Sequence, residues 1–206
     1  MKLHYSILLL FFINYCNAQN VVLNDSSFAK RIECLKNEDQ KWRNLFTDYK
    51  NGVLKDTLNL DFIQSMINKT DSLNYYELEN IINSIGFPAY SKVGRVAAHS
   101  FWLLVQHQDN NLSFQEKVLE MMYDAYLKND SSGKDFAYLK DRVQINKNEK
   151  QIYGTQLILN KSQSSYEPNN LIDPGKVNER RSSVGLGPIE HYIDTMNSRY
   201  FGTLKK

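Results

Sequence analysis

The stretch "FWLLVQHQDNNLSFQ", Phe101 to Gln115, opens as an apolar helix face and then turns into Gln106, His107 and Asp109. An imidazole two residues from a carboxylate is the minimal set for general acid–base chemistry, the carboxylate orienting the ring and supporting its charged form. Asp141 is a second carboxylate for that role, next to Arg142, a candidate anion stabiliser. A second group lies in "QIYGTQ", where Gln151, Tyr153, Thr155 and Gln156 offer amide and hydroxyl hydrogen bonds, and a third is the pair Arg180 and Arg181, a potential clamp for carboxylate or phosphate. Each group has a plainer reading. His107 and Asp109 suit a helix C-terminus and the turn after it, adjacent acid and base side chains commonly form solvated pairs, and a glycine such as Gly154 within a strand marks a bulge or a close approach.

Other chemistries have less support. His99 and His107 are eight residues apart, about 80° from one another around a helix, rather than the four-residue spacing of a zinc pair. A site assembled across distant segments with His191 has no paired-cysteine motif and no His-Glu-x-x-His to support it, so no metal is expected. "GLGP" from Gly185 lacks the third glycine and the preceding strand of a dinucleotide loop, and no cofactor is expected. There is no Gly-x-Ser-x-Gly elbow, and Cys34 lies mid-helix without an activating neighbour in sequence. A formal net charge of +2 over 206 residues gives no reason to expect a nucleic-acid partner.

The elements that must position these groups read as helices. Phe28, Ile32, Leu35, Trp42, Leu45, Phe46 and Tyr49 recur at three- and four-residue steps and predict a long helix closed by the turn Asn51-Gly52. Leu58 to Ile67 predicts a second. Asn74 to Glu77 has capping-box spacing for a third, which Gly86 should end before Pro88. Lys92 to His107 is apolar on most of its circumference and should be the buried central helix. Ser113 and Glu116 predict another, through Leu127, followed by the polar loop "KNDSSGKD". Two-residue alternation in "RVQIN" and "QIYGTQLIL" around "KNEK" predicts a β-hairpin, with "KSQSSYEPNN" a loop after it. Asp173-Pro174 and Gly187-Pro188 should start two final helices. The expected fold is α+β, mainly α: a helical bundle with one β-hairpin packed against it. Repeats and composition-biased linkers are absent, so one globular domain spanning residues 19–206 is expected.

Residues 1–18 read as a signal peptide. Lys2 and His4 precede an unbroken apolar run from Ile7 to Ile13, then small and polar residues ending at Ala18. The run is far short of the roughly 20 residues of a transmembrane helix, and Tyr15 before Cys16 does not suit lipidation. Cleavage after Ala18 would release a periplasmic or extracellular protein that starts at Gln19 and keeps Cys34 alone, hence without an internal disulfide.

Six polar clusters, in order, carry a resemblance. They are "EDQKWR" (Glu38 to Arg43), "GFPAYSKVG" (Gly86 to Gly94), "LLVQHQD" (Leu103 to Asp109), "YLKDRV" (Tyr138 to Val143), "QIYGTQ" (Gln151 to Gln156) and "RRSSVGLGPIEHY" (Arg180 to Tyr192). Together they resemble a bacterial family of unknown function, across about Glu33 to Tyr192. Phe87, where that family usually has tryptophan, and Gln108, where a small residue is common, depart from the pattern and leave its polar elements intact. The resemblance implies no activity. Because amides dominate these elements and cannot transfer protons at neutral pH, the residues favour an extracytoplasmic domain that binds a small molecule or a protein. The alternative is a hydrolase- or lyase-like enzyme in which His107 works with Asp109 or Asp141. In either case the hairpin is expected to fold back over the end of the central helix and gather these groups into one polar cluster.

Overall fold

The computed structural model describes residues 25–53, 59–162 and 164–202. The leader expected over residues 1–18 lies outside them. Among the described residues the chain forms seven α-helices, one 3-10 turn and a two-stranded antiparallel hairpin. The helices are α1 (Asp25–Lys50), α2 (Leu60–Ile85), α3 (Tyr90–Gln106), α4 (Leu112–Leu127), α5 (Gly133–Asn146), α6 (Val177–Ser183) and α7 (Ile189–Phe201). The fold is mainly α with a small β component, as the periodicity predicts.

α3 is the central element and touches α1, α2, α4 and α5. Its fully buried Phe101, Leu104 and Val105 pack with Ile32 of α1, Leu78 and Ile81 of α2, Val118 and Met122 of α4, and Leu139 of α5. A smaller cluster of Trp42, Ile63 and Ile67 closes one end of the α1–α2 interface. α3 is not straight: Gly94 has φ 79° and ψ 164°, a backbone conformation open chiefly to glycine, and it breaks the helix after its first turn. Among the described residues no helix is long and apolar enough to cross a membrane.

Three expectations need correction. Of the helix expected over Leu58 to Ile67, Leu58 lies outside the described residues, and residues 60–67 join the stretch after Asn74 in one helix, α2, with Asn74 buried in its middle rather than capping it. Gly86 ends that helix with φ 70°, as expected. At α4, Asn111 occupies the cap position and makes no side-chain cap bond, so the Ser113–Glu116 pair is not a capping box. The largest difference is the hairpin. "RVQIN" is the last turn and a half of α5, whose start is capped by Ser132 accepting from the Asp135 amide at 3.1 Å. Phe136, Leu139 and Val143 are buried at helical spacing, so packing overrides the preference of Val143 and Ile145 for strand. The hairpin is formed instead by β1 (Leu157–Leu159) and β2 (Tyr166–Pro168), with Leu157 opposite Pro168 and Leu159 opposite Tyr166, so β2 falls in the stretch expected to be loop. The 3-10 turn Pro174–Lys176 leads into α6, and Pro188 precedes α7. The Asn178 side chain, 11 residues upstream, accepts from the Ile189 amide at 2.9 Å to cap α7.

Candidate functional site

The polar residues fall into three groups rather than one. The first centres on His107, which follows the last residue of α3. Its Nδ1 lies 3.0 Å from Oδ1 of Asp39 on α1. Asp39 is fully enclosed, its side chain 1% exposed, while His107 is at 16%. The same Oδ1 accepts from Arg43 Nε at 3.1 Å, and Oδ2 accepts from Gln40 Nε2 at 2.8 Å. Arg43 reaches across to α2, where its Nη2 donates to Asp71 Oδ1 at 2.6 Å. Gln108 is buried beside this group and donates from Nε2 to the Asp71 carbonyl at 3.1 Å, tying the end of α3 to α2.

The two carboxylates differ in a way their surroundings explain. Burial works against the ionised form of Asp39, but His107 and then Arg43 and Gln40 outweigh it and hold Asp39 below the usual carboxylate range. For Asp71 burial dominates, Arg43 only partly offsets it, and its titration is lifted above that range. An ionised carboxylate accepts only, so Nδ1 carries the hydrogen of the His107–Asp39 bond, and in the neutral imidazole Nε2 is then the lone-pair nitrogen. None of the described residues hydrogen-bonds Nε2. One ligand-type atom each from Asp39, Asp71 and His107 lies within 4.8 Å of the other two, the one set among the described residues with the composition and spacing of a metal centre. Arg43 supplies positive charge to it. Beside it, Arg43, Phe46, Thr47, Gln64 and Ile67 line a shallow cleft of about 230 Å³.

The second group surrounds Asp109. Arg142 grips it with two parallel bonds, Nε to Oδ1 at 2.7 Å and Nη2 to Oδ2 at 2.5 Å, and Asn146 adds a third at 2.9 Å. Gln115, fully buried, donates to Asp109 at 3.3 Å and to the Val105 carbonyl at 3.1 Å, and more weakly to the carbonyl of Gln106, so Gln106 takes part through its backbone. Burial opposes ionisation of Asp109, but Arg142, Asn146 and Gln115 together keep its titration below the usual range.

The third group is built on Asp141, which is completely buried on α5. Its carboxylate accepts from the amides of Ile152 (2.7 Å), Tyr153 (3.0 Å) and Thr155 (2.9 Å) and from the Thr155 hydroxyl (3.0 Å). The carbonyls of that loop are taken as well. Arg180 donates to Ile152 at 2.7 Å, Arg181 to Tyr153 at 2.8 Å and the Tyr192 hydroxyl to Thr155 at 2.9 Å. Gln151 binds the carbonyls of Gln156 and Asn169 and accepts from the Gln156 amide at 2.9 Å, while the Gln156 side chain donates to Thr155 Oγ1 at 3.2 Å. Residues 151–156 therefore form no strand pair with α5. They make an irregular loop whose ends, Gln151 and Gln156, bond the backbone of residues 169–172 and whose middle is held by side chains, which is how a buried non-repetitive segment satisfies its N–H and C=O groups. Gly154 has φ 69°, and a Cβ there would stand 2.5 Å from Ile189 Cδ1, so the close approach expected at this glycine is made by α7.

Of the residues read as site candidates, the structure joins Asp109 with Arg142, and Asp141 with Gln151, Tyr153, Thr155, Gln156, Arg180 and Arg181. His107 contacts neither set through its side chain and takes Asp39 as its carboxylate partner. Asp39, Arg43 and Asp71 were not among the candidates. Asp39 and Arg43 stand four apart in "EDQKWR", a signal for one helix face but not for its partner, and Asp71 carries no sequence signal at all.

A family model described as Family of unknown function (DUF6624) matches residues 32–205. No curated protein and no solved structure matches the chain.

Proposed function

We propose that this chain, which belongs to the DUF6624 family, is an exported hydrolase- or lyase-like enzyme in which His107 moves the proton and Asp39 orients it. The observation that carries this reading is the Nδ1–Oδ1 contact of 3.0 Å between a half-buried imidazole and an enclosed carboxylate. His107, then Arg43 and Gln40, keep Asp39 ionised, Asp39 fixes the ring and its tautomer, and Nε2 is presented as general base or acid. Most of the polar candidates in the loop 151–156 bond their own chain, and the other imidazole–carboxylate contact, His99 Nδ1 to Asp135 Oδ2 at 2.9 Å, is the more exposed of the two, its imidazole at 56% against 16% for His107.

The test is a screen of chromogenic esters, amides, phosphoesters and glycosides with the purified chain, repeated with His107→Asn and Asp39→Asn. His107→Asn should abolish turnover. Asp39→Asn should lower kcat by about 10²–10⁴-fold with KM little changed, the range for losing an orienting group in acid–base catalysis. Absence of turnover across the panel, or turnover that survives His107→Asn, overturns the proposal.

The Arg43-lined cleft favours a second reading, a domain that binds a small polar molecule without turning it over. Phe46 and Ile67 would supply its apolar wall and Thr47 and Gln64 its hydrogen bonds. A ligand whose stabilisation of the fold is lost in Gln64→Ala and kept in His107→Asn would support it.

A further inference from the structure

We infer that Asp39, Asp71 and His107 form a binding site for a divalent transition-metal cation of the zinc class, entered by displacement of the Arg43 guanidinium. The three side chains come from three different elements, α1, α2 and the end of α3, yet one ligand-type atom of each lies within 4.8 Å of the others. Carboxylate oxygens and imidazole nitrogens bind zinc at about 2.0–2.2 Å, which puts neighbouring ligand atoms roughly 3.3 Å apart around a tetrahedral ion. Asp39 Oδ1 and His107 Nδ1 already stand 3.0 Å apart. Two carboxylates with one imidazole suit zinc, manganese or ferrous iron better than the harder magnesium and calcium, which prefer oxygen alone.

The surroundings have the form of an outer shell. Gln40 donates to the Asp39 oxygen that faces away from His107, and Gln108 holds the Asp71 backbone, so two of the three ligands are oriented by buried or half-buried amides. Arg43 already acts as the cation of the cluster, bonded to both carboxylates, and its side chain remains 27% exposed. A long, partly solvated guanidinium can leave, and a dication then replaces a single positive charge between two acids. The entering metal takes the Nδ1 lone pair, and the ring proton moves from Nδ1 to Nε2, so the imidazole stays neutral and Nε2 no longer offers a lone pair. The inference goes beyond the acid–base reading: a bound metal uses the same Nδ1 and Asp39 oxygen, so metal and proton transfer exclude one another and the cation acts as an off-switch.

The experiment is calorimetric titration of the purified, EDTA-stripped chain with zinc chloride, with magnesium chloride as a second arm and no substrate present. Wild type should bind one zinc with micromolar affinity or better and ignore magnesium at the same concentrations. Asp71→Asn and His107→Ala should each weaken zinc binding at least tenfold, and Arg43→Gln should tighten it by removing the competing cation, with circular dichroism confirming the fold of each variant. Should His107→Ala unfold, Asp71→Asn and Arg43→Gln still decide, because they move the affinity in opposite directions. No saturable binding in wild type and Arg43→Gln, or binding indifferent to Asp71→Asn, overturns the inference. Because the readout is heat of binding, the result is independent of whether the chain turns over any substrate.

Discussion

Nδ1 of His107 is bonded to Asp39, 68 positions earlier in the chain, and to neither Asp109 nor Asp141. The carboxylate that orients this imidazole therefore belongs to α1 and is delivered by helix packing. Asp39→Asn keeps the shape and removes the charge that Arg43 and His107 share. It should cost about 1–3 kcal/mol in denaturant unfolding, the penalty for a buried donor set left with a weaker acceptor. Unchanged stability would mean the carboxylate does not organise the cluster.

His107→Ala and Asp141→Asn should separate function from architecture. Asp39 retains Arg43 and Gln40 when the imidazole is removed, so His107→Ala should lower stability by less than about 1 kcal/mol. Asp141 is the single acceptor for four donors of a buried loop. Its replacement should cost about 3 kcal/mol or more, since hydrogen bonds to a charged group are worth about 1.5–3 kcal/mol each and are not additive. Urea melts of the two variants check the contrast, and similar losses for both would contradict it.

The Asp109–Arg142 pair should show in the pH dependence of stability. Its surroundings depress the folded-state pKa of Asp109, so its contribution is present above the ordinary carboxylate value of about 3.9 and is lost as pH falls through the lower folded value. Wild type should exceed Asp109→Asn in melting temperature at pH 7, and the gap should close as pH falls below the ordinary carboxylate value and through the depressed folded one. Asp109 is 45% exposed, so the effect at pH 7 stays within the 0–1 kcal/mol range of surface pairs.

Gly154→Ala places a methyl group against Ile189 and forces a side chain into a positive-φ conformation. A loss of about 1–3 kcal/mol is expected. Combining it with Ile189→Val should recover the steric part only. Complete recovery in thermal melts would show that the backbone conformation is not strained.

Export makes its own prediction. Lys2 and His4, the apolar run and the Ala18 junction predict a mature chain beginning at Gln19. Sequencing the N-terminus of the native protein checks it, and a stable product that retains Met1 would rule the leader out.

What could be read from the sequence was what depends on neighbours. The period of Phe28 to Tyr49 predicts α1, the apolar circumference of Lys92 to His107 predicts the central helix, and Gly86 predicts a stop, because each is decided within a few residues. The hairpin was misplaced because "RVQIN" satisfies two-residue alternation over five positions, while the burial of Phe136, Leu139 and Val143 that makes it helical depends on α4. Asp39 and Asp71 were invisible as partners of His107 for a related reason. Polar residues on helices are mostly solvated, and only the way α1 and α2 pack around α3 turns these two inward.

The loop 151–155 has a consequence for the order in which the chain assembles. Its amides find Asp141 only 11 to 14 positions away, but its carbonyls wait for Arg180, Arg181 and Tyr192, which are 28 to 37 positions downstream. Closing the longer loops has the greater entropic cost and gains nothing until α5 already presents its carboxylate. The bundle of α1 to α5 is thus a template, and the C-terminal helices dock on it last. Unfolding should begin from that same end, leaving the Asp39–His107 pair among the last contacts to separate.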